Sequence, residues 1–172
     1  MFSARLPKIV FLVLLLVAAA EAHRGYTLLP DCMASHFDGA GKANNFQPKS
    51  IFLQMYAVVT VLAVVIGFII PRIIRVLPVS LINLPHKDYW LAPERRAWTM
   101  GIFEAYFGWF GCAVYFLLIC VFEEVIQANL RTPPQMSSNY MIGLLVAFVA
   151  FMIVWSALFI RRLRGFYAPV EH

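Results

Sequence analysis

Long apolar runs alternate along the chain with short stretches that hold nearly all of its charges. From Ile51 to Ile70 the only polar side chains are Gln54 and Thr60, and about 20 such residues rising about 1.5 Å each match a hydrocarbon core about 30 Å thick. This run is expected to stop at Pro71-Arg72. A further run begins near Trp98, with an earlier helical start available at Pro93, and reaches about Phe122 with Glu104 as its one charge. Another extends from Tyr140 to Ile160 and ends on Arg161, Arg162 and Arg164. Each predicts a membrane-spanning helix, because a helix bonds its own backbone polar groups in a solvent that offers no partners.

The earliest run, Ile9 to Ala20, follows Arg5 and Lys8 and leads into Ala20-Glu21-Ala22, which has the small-x-small form of a signal-peptidase site. Apolar character resumes at Tyr26 to Leu29, so an uncleaved helix reaching that point is expected; cleavage would leave three spans. The pattern thus predicts an all-α integral membrane protein, a single domain over 1–172 built as a four-helix transmembrane bundle. Its helices fall at about 9–27, 51–70, 98–122 and 140–160, with a structured outer loop at 28–50 and an inner loop at 71–97.

Composition strengthens the membrane assignment: the hydrophobic share is 62%, against about 45–50% in soluble domains. Charge then orients the spans. Lys and Arg number two before the first run, three between the first and second, five in the next connection, one (Arg131) in the one after and three at the C-terminal end. Alternate segments hold ten against four, and the positive-inside rule puts the richer set, with both termini, in the cytoplasm. The basic residues flank the apolar runs beside lipid headgroups and form no single stripe, which excludes nucleic acid as a partner.

Candidate chemistry is sparse. The three cysteines give no disulfide framework, because Cys112 and Cys120 sit inside an apolar run and Cys32 lies in a different segment, and all three are read as unpaired. Gly39-Ala40-Gly41-Lys42 lacks P-loop spacing, and no catalytic triad, nucleotide fingerprint or metal-ligand spacing is present. No enzyme activity, cofactor or metal is expected. In the outer loop, Asp38-Gly39 and Gly41 supply positive-φ positions for an ordered turn. His36 beside Asp38 is either a pH-responsive pair or an anchor for the loop, since imidazole titrates near neutrality. Glu123 and Glu124, at the outer end of the third span, either join that pair as hard oxygen ligands or stay solvated.

Gly101, Glu104, Gly108, Gly111, Cys112 and Tyr115 share one helical face, a packing face that would aim Glu104 into the bundle. Glu104 is then an intramembrane polar group for proton or ion movement, or else it reaches the interface and pairs with Arg95 or Arg96. Gly143, Ala147, Ala150 and Ala157 repeat the small-residue device on the fourth span. Pro85-His86-Lys87-Asp88-Tyr89-Trp90 and Pro93-Glu94-Arg95-Arg96 read as an interfacial stretch followed by a helix start, serving either as a lipid-facing anchor or as a docking surface.

Leu29-Pro30, His36-Phe37 and Gly41, followed by Lys49 and a helix rich in Phe, Leu and Tyr, resemble an uncharacterised bacterial membrane domain found in immunity proteins of the SdpI type. These protect cells from an exported peptide toxin. The resemblance covers about residues 9 to 70, and Asn83 to Arg96 looks like a segment that follows the domain in some relatives. The chain is shorter than the immunity proteins and has no second block of spans. The resemblance implies a multi-pass protein of the bacterial cytoplasmic membrane that meets an exported peptide through His36, Phe37, Asp38 and Gly41. Two other functions remain open: an accessory subunit bound laterally to a membrane-protein partner, and an ion- or proton-coupled transporter.

Overall fold

The computed structural model describes residues 5–164, and the chain divides into two units, 1–136 and 137–172. Among the described residues four helices are long and apolar enough to cross a membrane, so the protein is a multi-pass helical membrane protein. They are Arg5–Leu28, Lys49–Val76, Pro93–Asn129 and Ser138–Arg164, called the first to fourth helices below. A small two-stranded sheet joins the first helix to the second.

Every helix outruns its apolar stretch. The third has 37 residues, a length of about 55 Å that exceeds the hydrocarbon and carries both charged ends as helix. Hydropathy located its middle, near 98–122, but the chain stops turning only at Asn129, ahead of a short loop containing Pro133 and Pro134. The second helix does not stop at Pro71. A π turn at Val65–Ile69, in which the Ile70 N–H reaches back to the Val65 carbonyl, re-spaces the ladder just before the proline. Pro71 then occupies the first turn of the closing stretch Ile70–Val76, where its missing N–H costs little.

Within the first unit three helices pack together. Pro7 lies against Gly108 and Gly25 against Ile126, so positions 18 apart on the first helix meet positions 18 apart on the third (7 to 25, 108 to 126), and the two run parallel. The second runs antiparallel to the third, with Tyr56 beside Phe122, Thr60 beside Tyr115 and Gly67 beside Gly111. A Cβ on Gly111 would stand 2.7 Å from the Gly67 Cα, so these backbones touch where neither helix has a side chain. Gly101, expected on the same packing face, has open space around it.

Aromatic rings fill the remainder of this core. Phe11 stacks on Tyr115 at 5.0 Å and meets Phe68 edge-on at 4.9 Å, while Phe122 packs against Tyr56 at 4.2 Å and Phe52 at 5.0 Å. The connection expected as an inner loop is partly helical, with a 3-10 turn at Val79–Leu81 and a single turn at Lys87–Trp90. Trp90, 2% exposed, stacks on Trp98, and the Thr99 hydroxyl donates to its carbonyl at 2.8 Å. Arg96 donates to the carbonyls of Leu77 (2.6 Å) and Arg75 (3.2 Å), satisfying the end of the second helix. Through Trp90 and Arg96 this segment is tied to the third helix and to the end of the second.

The fourth helix forms its own unit. Phe148, Phe151 and Trp155 stack along one side at successive 6.4 and 5.6 Å.

Candidate functional site

The segment after the first helix forms an antiparallel hairpin, β1 (Cys32–Phe37) and β2 (Ala43–Pro48), irregular around Ala34, His36 and Phe37. Its turn is built by one carboxylate. Asp38 Oδ1 accepts the N–H groups of Ala40 and Lys42, both at 2.9 Å, and the Asp38 N–H donates to the Lys42 carbonyl at 2.9 Å. Gly41 takes the left-handed conformation at φ 79. Gly39, expected to share that role, does not.

Three attachments hold the hairpin on the helices. The buried Asn129 amide, on the last turn of the third helix, accepts the Ala34 N–H at 2.7 Å and donates to the Ala34 carbonyl at 2.9 Å, imitating a neighbouring strand. The Met136 N–H donates to the Gly41 carbonyl at 2.8 Å. At the base, the Lys49 ammonium meets Asp31 at 3.1 Å and lies 4.9 Å over the Tyr26 ring.

Of the residues singled out in this loop, His36 is exposed, Phe37 half-buried, Asp38 committed to the turn and Gly41 buried. The His36 and Asp38 pair is not formed: His36 Nδ1 lies 2.5 Å from Asn44 Oδ1. Nor do the glutamates join them. Glu123 pairs with Arg24 of the first helix and accepts from Gln127 at 2.8 Å, and Glu124 pairs with Arg131 at 3.1 Å. Among the described residues no three His, Cys, Asp or Glu side chains are grouped to hold a metal. All three cysteines are free thiols.

Glu104 is only partly enclosed and bonds Arg75 of the second helix at 2.9 Å, not Arg95 or Arg96. Those two are occupied by the inner connection: Arg96 as described above, and Arg95 lying 4.0 Å over the Tyr89 ring.

One buried carboxylate is a group the sequence pattern passed over. Glu21, 8% exposed, sits two turns below the hairpin end of the first helix, facing the second and third. Its Oε2 accepts the Tyr56 hydroxyl at 3.1 Å, while its Oε1 is enclosed with no hydrogen-bond partner among the described residues. One turn further along, the Thr60 hydroxyl donates to the Tyr56 carbonyl at 2.9 Å and lies 3.0 Å from the Tyr115 hydroxyl. Thr60 has one proton, so Tyr115 is the donor in that second contact. Three helices thus enclose a carboxylate and three hydroxyls, with the Arg24–Glu123 ion pair one turn nearer the hairpin.

The signal for Glu21 was present in Ala20-Glu21-Ala22 but reads equally as a processing site. Tyr56 and Thr60, four residues apart in an apolar run, share a helix face, and that spacing was the available clue. Asn129 carried no signal, since its role depends on which strand it meets. The fold and site together define a multi-pass helical membrane protein with a braced extramembrane hairpin and a polar cluster inside its bundle. No family model, curated protein or solved structure matches the chain.

Proposed function

We propose that the protein is a recognition protein of the bacterial cytoplasmic membrane that meets an exported peptide with its hairpin at the outer face, in keeping with its resemblance to immunity proteins of the SdpI type, which protect cells from an exported peptide toxin. The bracing of the hairpin carries this reading. Asn129, Met136 and Lys49 fix the strands onto the helix ends before any partner arrives, so little conformational entropy remains to be lost on binding. The hairpin offers the His36 ring, the Phe37 side chain and a half-exposed Phe46 (52%) together on a rigid support, and rigid loops at a scaffold's end are where binding residues concentrate.

The test is protection of a sensitive host that expresses the protein while the peptide encoded by a neighbouring gene is supplied outside. His36→Ala and Phe37→Ala are expected to reduce protection at least about tenfold, the loss of one good contact, with membrane insertion and abundance unchanged. Lys42→Ala is expected to matter less. Full protection by both variants would reduce the hairpin to a connector and favour an accessory subunit, recognised by stoichiometric co-purification with a membrane-protein partner.

One observation favours a second reading, ion- or proton-coupled transport. It is Glu21, not Glu104, that lies buried with an unpartnered oxygen, and an intramembrane carboxylate is costly unless it is used. Reconstituted protein would then move charge across a vesicle membrane, and Glu21→Gln would stop it.

A further inference from the structure

At the end of the bundle opposite the hairpin, Lys8, Gly67, Phe68, Pro71, Arg72 and Glu104 line a small, shallow crevice open to the surroundings. Its charges are unevenly engaged. Glu104 is neutralised by Arg75 at 2.9 Å, whereas Lys8 and Arg72 are exposed and make no hydrogen bond or ion pair with any described residue. Two cations from two helices thus border one recess with no protein anion left over for them. The rest of the lining beside Glu104 is apolar: Phe68, Gly67 and Pro71 come from the π turn and the proline turn that follows it. Such π turns recur at functional sites because they displace side chains from the regular helical track.

We infer that this crevice binds the phosphate of an anionic glycerophospholipid, with Lys8 and Arg72 on the phosphate oxygens and the start of an acyl chain along Phe68. Four features select that ligand. Two unpaired cations ask for a phosphate, since Arg and Lys both bond its oxygens with charge assistance. The apolar wall asks for hydrocarbon beside the phosphate, which a soluble anion lacks. The site stands at the end of membrane-length helices, where headgroups lie. Lys8 and Arg72 also belong to the cation-rich segments that the positive-inside rule places in the cytoplasmic leaflet, where anionic lipids gather. The inference is independent of the hairpin's role.

Purified full-length protein is titrated with phosphatidylglycerol and, separately, phosphatidylcholine, and bound lipid is counted by native mass spectrometry. Phosphatidylglycerol is expected to bind at least about tenfold more tightly than phosphatidylcholine. Lys8→Gln with Arg72→Gln should erase that preference, Lys8→Arg with Arg72→Lys should retain it, and Lys42→Gln, a cation on the hairpin, should leave it unchanged. Both crevice residues are exposed, so an unaltered thermal midpoint separates lost binding from lost folding. Equal binding of the two lipids, undiminished preference in the double Gln variant, or complete displacement by millimolar inorganic phosphate would each overturn the assignment.

Discussion

Single side chains decide how this bundle tolerates polarity. Glu21 and Tyr56 share one hydrogen bond in the core, and removing one partner strands the other at a cost of about 1–3 kcal/mol, whereas removing both in matching shapes is nearly free. Tyr56→Phe alone is therefore expected to lower the melting point in detergent, and Tyr56→Phe with Glu21→Leu to restore it to the wild-type value or above. A double variant that melts lower than the single one would mean that the carboxylate stabilises the bundle through further partners. Asn129 makes a parallel case at the hairpin. Asn129→Asp keeps the acceptor for the Ala34 N–H but loses the donor to its carbonyl, so it should destabilise, and Asn129→Ala should also free the Ala34 amide to exchange with solvent. Unchanged exchange at Ala34 in the Ala variant would show that the other attachments suffice.

Among the elements, the Gly67 and Gly111 contact sets how closely the second and third helices approach. Gly111→Ala drives a methyl into the Gly67 backbone and is expected to cost about 1–3 kcal/mol, while Gly101→Ala, with open space around it, should be neutral or stabilise by up to about 1 kcal/mol through helix propensity. Thermal melts of both variants check this, and equal effects would remove the close contact from the account. The elements were legible in the sequence to the extent that hydropathy controls them. Long apolar runs announced four helices because the bilayer demands both length and apolarity. It says nothing about where helix ends in water, so the extensions to Val76 and Asn129 were missed. The hairpin was missed for a different reason: Cys32 to Pro48 has little alternation, and beside the buried Met33 its strands are held by Asn129 and the Asp38 turn. Gly41 was legible as a turn glycine, while the partner of Glu104 was not, because Arg75 lies 29 positions away on another helix.

For the whole molecule, the first helix contributes Pro7, Phe11, Ala18, Glu21 and Gly25 to the interior. Cleavage after Ala22 would take the first four of these out of the core, so the mature protein is expected to retain residues 5–28, as intact-mass measurement of membrane-extracted protein will show. A mass beginning at His23 would contradict it. On the proposed function, the braced hairpin stands on the outer face, where an exported peptide arrives, while the crevice end and the Lys87 turn face the cytoplasm. The hairpin supplies its own reporter, because Cys32 is exposed and Cys112 buried. The most direct measurement is labelling of intact cells with a membrane-impermeant maleimide, using one variant that keeps Cys32 as its only cysteine and another that carries Lys87→Cys alone. The account predicts that Cys32 is labelled in intact cells and that position 87 is labelled only after the membrane is permeabilised; the reverse pattern would contradict it.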